Sequence, residues 1–132
     1  MNNVISYLKS AFVVGISYLG YFLGGFDSMM ITLLIFMLVD YISGIINAIL
    51  KKKLSSKVGA KGIFKKCYIL LLVGSINLLG NAIGISEIRY IVISFYLANE
   101  GISLIENASE IGVPIPKKII EVLEQLKSTG DE

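Results

Sequence analysis

Apolar residues run along this chain in four long stretches separated by short polar segments. The first covers Val4–Gly25 and is interrupted by Lys9; the second, Ser28–Leu50, holds Asp40 as its one charge. The third, Cys67–Ile85, carries no charge, and the fourth, Tyr90–Ile105, has Glu100 inside it. A helix that crosses a bilayer needs about 20 mostly apolar residues. The pattern therefore predicts spanning helices at about 4–25, 28–50, 67–85 and 88–106. Val4–Gly25 could also be a cleaved leader or a surface-lying helix. It lacks an Ala-x-Ala cleavage site and a strongly charged face, which favours the spanning reading. Its small residues Ser6, Ser10, Ser17, Gly20 and Gly24 form a stripe that permits close helix approach in lipid.

Beyond the fourth stretch the pattern changes. Gly112-Val113-Pro114-Ile115-Pro116 is a break, because two prolines one residue apart stop a helix. Lys117–Lys127 then places Ile119, Ile120, Leu123 and Leu126 at helical spacing, with charges between them. A short amphipathic helix is expected there, followed by a polar, frayed tail at Ser128–Glu132. The chain divides into a helical membrane domain at 1–111 and a cytoplasmic segment at 112–132 that holds the proline break, the amphipathic helix and the tail. The fold class expected is an all-α membrane protein with three to four transmembrane helices, a basic cytoplasmic loop and this C-terminal helix.

Composition strengthens the lipid reading. Of 132 residues, 55% are apolar and 17% charged, with a mean hydropathy of +0.75. A water-soluble domain is nearer ~25% charged and buries only about two-thirds of its surface at this size. The chain has no His, no Trp and one Cys, Cys67. That excludes Ser-His-Asp and Cys-His chemistry and an intrachain disulfide, and leaves no zinc set. No phosphate-binding glycine loop is present. No enzyme activity and no cofactor are expected.

Charge sets the orientation. Lys51, Lys52, Lys53, Lys57, Lys61, Lys65 and Lys66 fall within 16 residues without an acid. A nucleic-acid patch is one reading of such a run. A basic loop retained in the cytoplasm is the plainer one, with lysines attracted to anionic lipid headgroups. With this loop inside, 11 of the 12 Lys and Arg lie on the cytoplasmic side and Arg89 alone lies outside, in a short turn at Ser86–Arg89. Both termini are then expected in the cytoplasm of a bacterial cell, and no nucleic-acid partner is expected.

The candidate functional positions are polar residues inside the apolar stretches. Asp40, Ser43 and Asn47 share one helix face, as do Asn77 and Asn81. In the fourth stretch Asn99, Glu100, Ser103, Glu106, Asn107 and Glu110 make a broad polar face. An acid at mid-bilayer depth costs about 2.5–3.5 kcal/mol. These faces must meet one another, a second copy, or water. Two readings stand: polar contacts that hold one bundle together, or the lining of a water-filled opening built by many copies.

The stretch Glu100-Gly101-Ile102-Ser103-Leu104-Ile105-Glu106-Asn107-Ala108-Ser109-Glu110-Ile111-Gly112-Val113-Pro114-Ile115-Pro116-Lys117-Lys118 resembles the C-terminal signature of the toxin-secretion and phage-lysis holin family. Asp40 with Gly44, and Lys53-Leu54-Ser55-Ser56 with Gly62 and Lys65, are similar to it as well. The resemblance covers roughly Ser28–Lys127. It implies a small protein of the cytoplasmic membrane that oligomerises at a set time into large lesions. A peptidoglycan hydrolase or a secreted toxin then leaves through them. Family members are often drawn with three spanning helices, and Val4–Gly25 offers a fourth here. No catalytic residue is implied. Two other classes fit a chain of this kind: a small proton-coupled multidrug exporter, which uses an acid in its first helix where this chain has none, and a non-conducting membrane scaffold.

Overall fold

The computed structural model of the chain describes residues 1–131 and is all-α over them. Its five helices are α1 (Asn2–Leu23), α2 (Ser28–Leu50), α3 (Ser56–Ile83), α4 (Ile88–Glu110) and α5 (Lys117–Asp131). The first four are each long and apolar enough to cross a membrane. At 1.5 Å per residue, α2 is about 34 Å long, close to a ~30 Å hydrocarbon core.

Local chemistry sets most of the ends. Asp27 caps α2, its side chain accepting from Met30 N at 3.0 Å, and Ser55 caps α3 by accepting from Val58 N at 3.2 Å. At the other ends, α1, α2, α3 and α4 all close through a residue of positive φ: Gly24, Lys52, Gly84 and Gly112. Each closure bonds the next N–H back five residues along the chain, as in Gly25 N to Gly20 O at 2.7 Å and Lys53 N to Ala48 O at 2.9 Å. At α2 this position is filled by a lysine, Lys52, at φ 56°.

The basic segment expected as a loop is helical from Ser56 onward. The apolar run begins only at Cys67, which is where the sequence pattern starts the helix. Lys and Ala nevertheless favour helix, and Ser55 supplies the cap. At 28 residues, α3 is about 42 Å long and extends past the hydrocarbon at one end. Lys57, Lys61, Lys65 and Lys66 are therefore helical, and Lys51, Lys52 and Lys53 form the turn between α2 and α3. The tail expected from Ser128 instead continues α5 to Asp131, and Glu132 lies outside the described residues.

Packing is centred on α4, which lies most extensively against α2 and also meets α3 and α5. The core is small: Leu23, Met30, Leu33, Met37, Ile69, Val73 and Ile93. Much larger apolar side chains face outward, among them Phe12, Tyr21, Phe64 and Leu71. Such a surface belongs in lipid.

Helix α1 docks mainly on α3, through its last turns. Within it Gly20 and Leu23 are buried, and residues 1–19 are exposed throughout. Its small-residue stripe is thus used at Gly20 and Gly24 and left open at Ser6, Ser10 and Ser17. The Phe22 ring packs against Gly74, where any Cβ would overlap it. Helix α5 doubles back along α4 after the Pro114–Pro116 turn, with Leu123 over Gly101.

Candidate functional site

Three spanning helices carry a polar seam. Helix α3 has one inward stripe at Gly59, Gly62, Lys66, Ile69, Val73, Asn77 and Gly80, spaced three and four residues apart. Lys66 is the cation of that stripe. Its Nζ donates to Asp40 Oδ2 at 2.8 Å and to Glu100 Oε2 at 2.6 Å. One ammonium from α3 thereby joins a carboxyl of α2 to a carboxyl of α4. Glu100 is 4% exposed, so the group is shielded from lipid and from bulk water.

The seam continues toward the basic end of the bundle. Asn107 Nδ2 donates to Asp40 Oδ1 at 3.1 Å and to Ser43 Oγ at 2.8 Å. Asn47 is buried and donates to Asn107 O at 2.9 Å and Glu110 Oε2 at 3.1 Å. Lys51 closes the seam with Glu110 at 2.7 Å, on the exposed rim. Among the described residues no buried side-chain nitrogen or oxygen lacks a hydrogen-bond partner. Within a single chain, then, the buried polar atoms of α2 and α4 are satisfied by each other and by Lys66, and Glu106 is exposed.

A cavity of about 390 Å³ lies beside this seam, among α2, α3 and α4. Asp40, Asn99, Glu100, Ser103 and Glu106 line it, and Lys127 reaches it from α5. Tyr41 forms one wall, its hydroxyl donating to Gly59 O at 3.3 Å. Ser43 and Asn47 join the same seam through Asn107. Among the described residues no group of three or more His, Cys, Asp or Glu comes together to hold a metal.

Asn77 and Asn81 sit elsewhere, at the opposite end of the bundle. Asn77 is buried and donates to Phe22 O at 3.1 Å, whereas Asn81 is exposed and borders a recess of about 500 Å³. Arg89 dominates that end. The sequence pattern puts it in an exposed turn, yet it is in the first turn of α4 and 3% exposed. Its Nε donates to Leu23 O at 2.6 Å, one terminal nitrogen to Gly25 O at 2.9 Å, and the other to Asp27 Oδ2 at 2.7 Å. Leu23 O is one of the carbonyls that a helix C-terminus leaves unpaired, and Gly25 O follows just past the cap. Gly24 makes the approach possible: φ is 85°, and a Cβ would strike Asn77 and Arg89. The Arg89 hydrogen bond holds the Asp27 carboxyl below its ordinary value near 3.8.

Two of these residues escape a pattern-based search. Lys66 is hidden in a run of identical letters, and its signal is the three-and-four spacing it shares with Gly62, Ile69 and Val73. Arg89 is marked by its position, since a cation opposes the dipole at a helix N-terminus and needs an anion there. Asp27 is the one acid in the facing turn.

The model of the "Bacteriophage holin family" matches residues 17–128 of this chain. The chain is 40% identical over 132 residues to the uncharacterized 14.9 kDa protein in the nagH 3' region of Clostridium perfringens, covering 97% of this chain and 98% of the relative. Against the uncharacterized protein Lmo0128 of Listeria monocytogenes the identity is 40% over 116 residues, with coverage of 86% and 83%. The "Probable holin" of Bacillus phage phi105 is 32% identical over 101 residues, covering 76% of this chain and 75% of its own length. No solved structure matches. Seam and cavity both lie within the matched span, and the chain belongs to the bacteriophage holin family.

Proposed function

We propose that the protein is a membrane-permeabilising holin whose copies gather in the cytoplasmic membrane and open lesions wide enough for a folded enzyme. The passenger is a peptidoglycan hydrolase or a secreted toxin, and no catalytic step is involved. One observation supports this reading above the rest. The spanning helices keep Asp40, Ser43, Asn47, Asn99, Glu100, Ser103 and Glu106 in or beside one seam and cavity. A lone subunit can rest with Asp40, Ser43, Asn47 and Glu100 satisfied by Lys66, Asn107 and Glu110. In a ring of copies the same groups can exchange their intrachain bonds for water. Lesion opening then amounts to parting α3 and α4 from α2 along the seam. Both states hydrogen-bond the polar groups, so they differ by a few kcal/mol, the range in which a switch operates. Collapse of the membrane potential, at ~2.3 kcal/mol per charge per 100 mV, is large enough to tip it.

Orientation follows from unmatched charge. Arg89 is neutralised by Asp27, whereas Lys52, Lys53, Lys57, Lys61 and Lys65 have no carboxylate partner among the described residues. The positive-inside rule places that end, and both termini, in the cytoplasm. The test is lysis. Induction together with a cytoplasmic muralytic enzyme should give abrupt lysis after a fixed delay, and Asp40→Asn or Glu100→Gln should shift the onset. Purified protein that stays monomeric in liposomes and retains an entrapped dye would overturn the proposal.

A further inference from the structure

A second face of α3 remains unused by the seam. Lys57, Lys61, Lys65, Tyr68 and Leu72 follow one another at intervals of four, four, three and four residues, so they form one stripe. This stripe borders a groove of about 760 Å³ between α3 and α4, with Tyr96 and Asn99 on the opposite wall. Along the groove the chemistry grades from cationic through aromatic to apolar. The three lysines have no carboxylate within ion-pair distance among the described residues. The groove is mostly apolar inside and opens outward.

Its length is informative. Lys57 to Leu72 spans 15 residues, about 22 Å of helix. One leaflet of a bilayer is about 20–22 Å thick, headgroups included. The lysines fall at headgroup depth, Tyr68 at the interface where tyrosine is enriched, and Leu72 among the acyl chains. We propose that this groove is a binding site for one anionic phospholipid of the leaflet that the basic end enters. Its phosphate lies against Lys57, Lys61 and Lys65, its glycerol and ester region against Tyr96 and Asn99, and an acyl chain along Ile69 and Leu72. The source is a bilayer lipid and not free phosphate, because a phosphate alone would leave the apolar part of the groove empty. The proposal rests on the membrane-spanning reading, and on the orientation above only for naming the leaflet as cytoplasmic.

The same groove ties lipid to the seam. Lys65 and Asn99 border both the groove and the cavity beside Asp40 and Glu100. A bound lipid therefore stands directly against the wall that parts when α3 moves, and it holds α3 on α4.

The experiment is native mass spectrometry of the full chain released from vesicles of phosphatidylcholine with phosphatidylglycerol. Wild type should retain phosphatidylglycerol in preference to phosphatidylcholine. K61Q/K65Q should lower that preference about 30-fold, the equivalent of ~2 kcal/mol at ~1 kcal/mol per lysine. K52Q/K53Q removes the same charge outside the groove and should lower it at least tenfold less. Ala60→Trp fills the groove without altering charge and should also release the lipid, with helix content by circular dichroism unchanged. Equal losses in the two lysine pairs, or full retention in Ala60→Trp, would overturn the site in favour of diffuse surface attraction. Displacement by millimolar inorganic phosphate would overturn the lipid as ligand. Failure of the chain to enter vesicles at all would overturn the spanning reading itself, an outcome distinct from entry without preference.

Discussion

Replacing Lys66 with methionine isolates what the seam contributes. The side chain keeps a similar length and loses its charge. Asp40 and Glu100, both inside spanning helices, are then left facing each other without the ammonium that lies 2.8 and 2.6 Å from them. Removing one partner of a buried ion pair typically costs 3–5 kcal/mol, because the remaining charge stays buried and unmatched. A unit charge pair at ~4 Å interacts by about 4 kcal/mol at an effective dielectric of 20, which agrees in size. Lys66→Met should thus lower the folded-to-unfolded ratio on the order of a hundred- to several-thousand-fold. The triple variant Lys66→Met with Asp40→Asn and Glu100→Gln removes every charge at once. It should return to within about 1–2 kcal/mol of wild type, since replacing a whole buried charged group is often near neutral. The assay is unfolding in mixed micelles titrated with dodecyl sulfate and followed by circular dichroism. In cells the single variant should bring lysis forward, and the triple should restore the delay at least in part. A loss under 1 kcal/mol in Lys66→Met, or a triple variant no better than the single, would refute the view that the ammonium holds α2, α3 and α4 together.

Other consequences are open to simpler measurement. The Asp27 carboxyl is held low by Arg89, so its contribution to stability is present above the unfolded-state pKa and is lost as pH falls through the folded-state value. Acid unfolding below about pH 4 should be less steep in Asp27→Asn, as followed by circular dichroism against pH. Gly74→Ala drives a methyl into the Phe22 ring and should destabilise by about 1–3 kcal/mol. Adding Phe22→Ala should recover at least half of that loss, measured by a double-mutant cycle. Lys52→Gly relieves a left-handed backbone on a side chain and should stabilise by about 1 kcal/mol in the same micelle titration.

Much of the architecture is legible without coordinates, for a physical reason. A bilayer admits helices and closed barrels, so long apolar runs have few other fates. The run Ser28–Leu50 coincides with α2, and the face of Asp40, Ser43 and Asn47 is the one that meets α4. Legibility fails where hydropathy is silent. The start of α3 rests on a serine cap and on lysines that are good helix formers, neither of which is apolar. Lys66 differs from Lys65 only in azimuth: one turns inward to two acids, the other lies along an open groove. Asn77 and Asn81 share a helix face by spacing, yet one is buried against Phe22 and the other is exposed. The fold-back of α5 depends on the left-handed Gly112 and the proline turn, whose direction no periodicity encodes.

The one-ended attachment of α1 gives the subunit an outrigger. Some five turns of helix project from the body with lipid on every side, fastened only through the last turn, where Phe22 meets Gly74 and Asn77 and Leu23 and Gly24 meet the Arg89 clasp. Lipid solvates such a rod about as well as protein does, so a neighbour that settles on it gains little and leaves readily. Meeting and unlocking are thereby assigned to different parts of the molecule. On the proposed lesion-forming reading, crowding on the outrigger is reversible and disturbs no internal bond, so copies would collect for a long time before any of them breaks its own seal.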